Sequence, residues 1–135
     1  MKTKFIMTTF IFLTSIAIAI GQTITDQKAI AQPAEGNSPV YFIISYDIVN
    51  MEEFQKYPPR VLPLLKKYGA EVLASDVQAT VFEGTSKTMN AIIKFPSSDT
   101  ANKCYNDPEY EPIKKIRINS TKNCTMVLVK QLPQP

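Results

Sequence analysis

The side chains able to do chemistry in this sequence are tyrosines gathered around one arginine. Tyr105 and Tyr110 flank Asp107-Pro108, and Arg117 follows one residue after Ile116. An Asp-Pro step breaks a helix. A broken helix often lines a cavity, where two phenols could stack on a ring or hydrogen-bond to it. A guanidinium at 117, beside the apolar stripe of that segment, could clamp a ligand carboxylate bidentately. The blander alternative is an arginine lying over the core and paired with Glu109 or Glu111, among tyrosines that are ordinary core residues. Tyr46 and Tyr57 should point into the same space. The candidate ligand-binding set is therefore Tyr46, Tyr57, Tyr105, Tyr110 and Arg117. Glu83, in Phe-Glu-Gly, and Asp76 are the acids nearest a strand end. An apolar pocket could raise such a carboxyl into the range of a general base, although turn acids are more often simply solvated. Arg117, Tyr105, Tyr110 and Glu83 are thus the catalytic candidates. Lys94 alternates with Ile93 and Phe95, and only its residue type suggests a Schiff base.

What is missing narrows the chemistry further. The 135 residues contain no histidine. That removes the Ser-His-Asp triad, the Cys-His pair, the two-histidine zinc helix and histidine-ligated haem. Two cysteines cannot build a four-cysteine zinc site, and four glycines, at 21, 36, 69 and 84, cannot spell a phosphate cradle. Neither a metal site nor a bound cofactor is expected. A net charge of +3 is too mild for a dedicated nucleic-acid binder. With 44% hydrophobic and 20% charged residues, the composition is that of a globular domain.

The N-terminus looks like an export signal. Lys2 and Lys4 precede an apolar run from Phe5 to Ile20, and Ala19-Ile20-Gly21 offers a signal-peptidase site. Competing cuts lie after Ala19 and Ala31. The run contains Thr8, Thr9, Thr14 and Ser15 and falls short of the ~20 apolar residues that span a bilayer comfortably. Membrane contact would come only through this segment left uncleaved. Residues 1–21 are thus a signal peptide and 22–39 a Gly-, Pro- and Gln-containing linker. The folded domain covers 40–132, and its product is periplasmic or secreted.

Within the domain, Val40–Ile48 is β-rich, with Val40, Phe42, Ile44, Tyr46 and Ile48 on one apolar face. Asn50 and Glu53 make a helix N-cap and capping-box pair. Met51, Phe54, Val61, Leu65 and Tyr68 mark the buried stripe, and Gly69 ends the helix. Pro58-Pro59 must interrupt that helix near Tyr57, and Pro63 should open a fresh turn. Ala70–Asp76, Val77–Glu83 and Thr88–Phe95 read as strand segments. A second helical stretch starts at Ser97, breaks at Asp107-Pro108 and resumes through Ile118, burying Ala101, Cys104, Tyr105, Ile113, Ile116 and Ser120. Cys124–Gln131 is the last strand. Cys104 lies roughly 15 residues before the helix end, about 20 Å at helical rise. A strand returns that distance in about six residues, so Cys104 should face the region of Lys130, and no Cys104–Cys124 disulfide is expected.

The order β-α-β-β-α-β predicts an α+β, ferredoxin-like fold: a four-stranded antiparallel sheet with both helices on one face. The other sheet face, carrying Tyr41 and Ile43, does not look adapted to solvent, and a second copy of the chain is its simplest cover.

Tyr68-Gly69, Phe82-Glu83-Gly84, Phe95-Pro96-Ser97-Ser98, Tyr105-Asn106-Asp107-Pro108-Glu109-Tyr110 and Arg117 together resemble one small bacterial family. It is the domain of unknown function numbered thirteen-thirty, in the dimeric α/β-barrel superfamily. The resemblance covers nearly all of 40–131, with Gly69-Ala70 standing where the family typically has two glycines. It implies a ferredoxin-like protomer whose sheet pairs face to face with a partner's, as a dimeric α/β barrel. The superfamily includes monooxygenases and isomerases that use no metal or prosthetic group. Its haem-degrading and peroxidase branches use a histidine that this chain lacks. The expected protein is an exported homodimer binding a small ligand, partly apolar or aromatic, neutral or anionic, between sheet and helices. A cofactor-independent enzyme and a structural dimer without ligand are the alternatives.

Overall fold

The computed structural model describes residues 38–133. The expected signal segment, and the expected linker as far as residue 37, lie outside the described residues. Elements follow in the order β1 (Val40–Ile48), α1 (Met51–Phe54), α2 (Pro58–Lys67), β2 (Glu71–Asp76), β3 (Met89–Phe95), α3 (Ser98–Tyr105), α4 (Tyr110–Ser120) and β4 (Thr121–Lys130). One antiparallel sheet has the order β2-β3-β1-β4. This is the ferredoxin-like arrangement, with each expected helix divided in two.

Proline makes both divisions. Pro58 and Pro59 occupy the first positions of α2, where a missing N–H costs nothing, so α1 ends one turn earlier. Pro63 does not open a new turn as expected; α2 runs straight through it. The ring removes a single intrahelical bond, to the carbonyl of Pro59, and the buried Val61, Leu64 and Leu65 hold the helix regardless. The second division falls at Asp107-Pro108, between α3 and α4.

The caps are largely as the residues dictate. Asn50 Oδ1 accepts from the Glu53 N–H at 3.0 Å. The reciprocal half of that capping box is absent: the Asn50 N–H donates to the Ser120 carbonyl at 3.2 Å, and Glu53 pairs with Lys56 at 2.6 Å. Ser97 and Thr100 form a full capping box on α3. Gly69, at φ +65°, ends α2, and the Ala70 N–H reaches back to the Leu65 carbonyl at 2.9 Å.

Three expectations need correction. Val77–Glu83 is not a strand; residues 77–88 form a long exposed connection between β2 and β3. Its Val and Phe residues favour β structure, but among the described residues no strand pairs with it, and Phe82 is left 94% exposed. Met51 is exposed rather than on the buried stripe, because α1 is a single turn that buries only Phe54. The last strand begins at Thr121, three residues before Cys124, because α4 passes into β4 without a loop.

Even-numbered residues of β1 face the helices. Val40 and Phe95 pack with Leu64, Leu65, Ala101, Cys104 and Tyr110 in one cluster. Ile44, Tyr46, Phe54 and Met89 form a second. On the opposite face, register places Ala74, Ile92, Ile43 and Val127 in one row across all four strands. Ile92, Ile43 and Val127 in that row are exposed.

Candidate functional site

Between sheet and helices lies a cavity of about 130 Å³. Its floor is the inward face of the sheet: Phe42, Ile44 and Tyr46 of β1, Met89, Ala91, Ile93 and Phe95 of β3, Val72 and Ser75 of β2, and Met126 of β4. The period-two alternation of β3 accounts for the second group, since Asn90, Ile92 and Lys94 necessarily point the other way. Phe54, Tyr57, Pro58, Val61, Leu62 and Leu65 form one helical wall; Cys104, Tyr105, Tyr110 and Arg117 form the other.

All five residues expected to bind a ligand line this space. Tyr46 reaches it from β1, Tyr57 from the start of α2, and Tyr110 and Arg117 from α4. Tyr105 was expected on the buried side of its helix and is instead 37% exposed. It is still built into the wall: its ring meets Tyr110 at 5.8 Å and Phe42 at 6.4 Å, and Lys114 Nζ sits 4.8 Å from its centroid. Glu83 and Asp76 are exposed and take no part in the lining. The general-base role considered for them has no support in this geometry. Lys94 is likewise absent from the wall.

The α3–α4 break positions the phenols. Asp107, at its centre, is buried and accepts from the Tyr68 hydroxyl at 2.6 Å, the Glu109 N–H at 2.8 Å and Lys67 Nζ at 3.0 Å. These bonds, that from Tyr68 foremost, hold its carboxyl down at about 2. The break is thereby tied to the C-terminus of α2, and Tyr110, opening α4, turns inward. Its hydroxyl lies 3.2 Å from that of Tyr57. Burial pushes Tyr57 well above the ordinary phenol range, with Tyr110 adding to the effect. Burial also pushes Tyr46 up to about 12, against an opposing pull from Arg117, and Cys104 up to about 11. These groups stay protonated at neutral pH.

Arg117 is 5% exposed. Neither expected acid partner reaches it: Glu109 pairs with Lys67 at 3.3 Å, and Glu111 with Lys114 at 3.1 Å. Glu111 stands six residues back, about 240° around the helix and on another face. Arg117 instead donates from Nη1 to Cys124 Sγ at 3.2 Å, and its Nε is buried without a hydrogen-bond partner. Burial opposes its charge, but the oxygens of Tyr110 and Tyr57 more than offset this and raise its pKa. The contact with Cys124 was not foreseen. It depends on a β-bulge opposite Tyr46, where Asn123 adopts φ 50°. Both cysteines are free thiols, Cys104 buried and Cys124 exposed. Among the described residues no cluster of histidine, cysteine or acidic side chains could hold a metal ion, and no helix is long and apolar enough to cross a membrane.

The profile of the family described as "Domain of unknown function (DUF1330)" matches residues 39–132. The chain belongs to this family. No functionally curated protein matches it. Among solved structures, a protein of unknown function from Rhodopseudomonas palustris is similar at 17% identity and a TM-score of 0.65, covering 75% of this chain and 86% of its own. A protein from Bacteroides fragilis, described as dimeric, of unknown function and ferredoxin-like fold, is similar at 16% identity and 0.51, covering 71% of this chain and 99% of its own. SnoaB, a cofactor-independent oxygenase from Streptomyces nogalater, is similar at 11% identity and 0.51, covering 72% and 96%. At such identities the likeness is one of fold, and it agrees with the ferredoxin-like topology described above.

Proposed function

We propose that this member of the family is an exported homodimer that binds a small, partly apolar or aromatic ligand in the cavity between sheet and helices. The observation that carries the reading is the cavity itself. It is walled by aliphatic and aromatic side chains, and its few polar groups are brought from several elements to one space. Export is supported by the basic start and apolar run over residues 2–20. The second copy is supported by the exposed apolar row through Ile92, Ile43 and Val127. The dimeric description of the Bacteroides fragilis structure points the same way.

A cofactor-independent enzyme is the second reading, favoured by the buried Arg117 beside two phenols and by the description of SnoaB. Arg117 would hold an anionic substrate, and Tyr105 or Tyr110 would move a proton. The cavity lining contains no carboxylate or histidine to act as a base near neutral pH, which ranks binding first. Native mass spectrometry of the protein from the exported fraction tests the proposal. A dimer carrying one small bound mass per protomer is expected; a bare monomer would overturn it.

A further inference from the structure

The polar end of the cavity defines a ligand class, an inference that rests on reading the cavity as a ligand site. Arg117 is the only charged residue among those lining it. No acidic side chain among the described residues lies within ion-pair distance of its guanidinium. Its partners are all neutral: Nη1 donates to Cys124 Sγ, a weak acceptor, the guanidinium also bonds to the Tyr110 phenol, and Nε is buried and unpartnered. A buried cation without a counter-charge is costly, so an anion from outside the chain has a seat prepared for it. The phenols add to that seat. Tyr57 and Tyr110 share one hydrogen bond between their hydroxyls, which leaves one O–H of the pair free to donate outward. Guanidinium and phenol lie within hydrogen-bonding reach of each other, and donors of both kinds side by side are the complement of an oxyanion. One positive charge, with no lysine in the wall, suits a monoanion and not a phosphate dianion. Phe42, Ile44, Phe54, Met89, Ile93 and Met126 surround the rest of the space with apolar surface. A cavity of about 130 Å³ is close to the roughly 150 Å³ that accommodates a benzene ring in a protein interior.

We propose that the cavity takes a single-ring aromatic monocarboxylate, its carboxylate on Arg117 and the Tyr57–Tyr110 pair and its ring against Phe42, Phe54 and Met126. Calorimetry on the full chain with benzoate, and with benzamide as its neutral isostere, tests this. Benzoate should bind at least tenfold more tightly than benzamide. Arg117→Met should erase that preference, and Arg117→Lys should restore part of it through charge without the fork geometry. Should Arg117→Met fail to fold, the benzoate-to-benzamide ratio on the unaltered protein decides alone. Equal binding of the two probes would overturn the anion assignment and leave the cavity reading standing. Binding of neither would overturn both.

Discussion

Replacing Ala91 with leucine separates an open cavity from a packed core by the sign of its effect. Ala91 stands in the middle of β3 and lines the cavity floor. A void of about 130 Å³ costs up to about 3 kcal/mol at ~24 cal/mol per Å³. That is an upper bound, because any water entering the space offsets part of it. A leucine side chain fills about half the space, so Ala91→Leu should stabilise the protein by about 1 kcal/mol. For a domain of this size that raises the Tm by roughly 4–8 °C. The same variant should weaken benzoate binding at least tenfold, since ring and leucine compete for one volume. Urea titration and calorimetry on the same preparation read both effects. Had the space been filled already, the added carbons would strain the core and destabilise by about 1–3 kcal/mol. Loss of stability with benzoate affinity intact would refute the reasoning.

Other expectations follow from the same geometry. Asp107 has a folded pKa of about 2, below its unfolded value, so its contribution is complete above about pH 4 and lost as pH falls through about 2. Asp107→Asn should be less stable than the parent at pH 6, with the gap closing toward pH 2; urea midpoints showing a pH-independent gap would contradict this. Ile43→Lys puts a charge in the centre of the outer apolar row and should convert a dimer to a monomer in sedimentation, whereas a dimer that persists would move the interface elsewhere. Gly69→Ala must hold φ +65° with its new Cβ 3.3 Å from Pro96 Cγ, so it should cost about 1–3 kcal/mol in urea unfolding, and an unchanged midpoint would show that the turn relaxes.

Much of this was legible because short-range rules governed it. The five even-numbered apolar residues of β1, the prolines at 58–59 and the Asp107-Pro108 break each specify their surroundings through periodicity or a missing N–H. The tyrosines could be assigned to a common space because topology brings those segments over one sheet face. The strand assigned to Val77–Glu83 failed because β propensity reflects partners, and none is present among the described residues. Arg117 was legible as a candidate but not in its contacts. The nearest acids in sequence, Glu111 and Glu109, face lysines, while Cys124, its sulfur partner, is set by a bulge whose signal, an asparagine at 123, is weak. Met126 and Ala91 would have needed strand register to find.

The passage from α4 to β4 has a consequence for how this chain can vary. Ser120 and Thr121 are helix and strand in immediate succession. The Ser120 carbonyl accepts from the N–H groups of both Val49 and Asn50, and the Thr121 hydroxyl donates to the Arg117 carbonyl at 2.8 Å. No residue there is spare. A single inserted amino acid would rotate Arg117 away from the cavity or slip β4 by one place, turning Met126 outward and Val127 inward. The stretch from 79 to 86, before the Lys87–Asp47 ion pair, carries no such obligation. Added length, a fused tag or relocated chain ends should be accepted there, and refused at the one junction that aims the guanidinium.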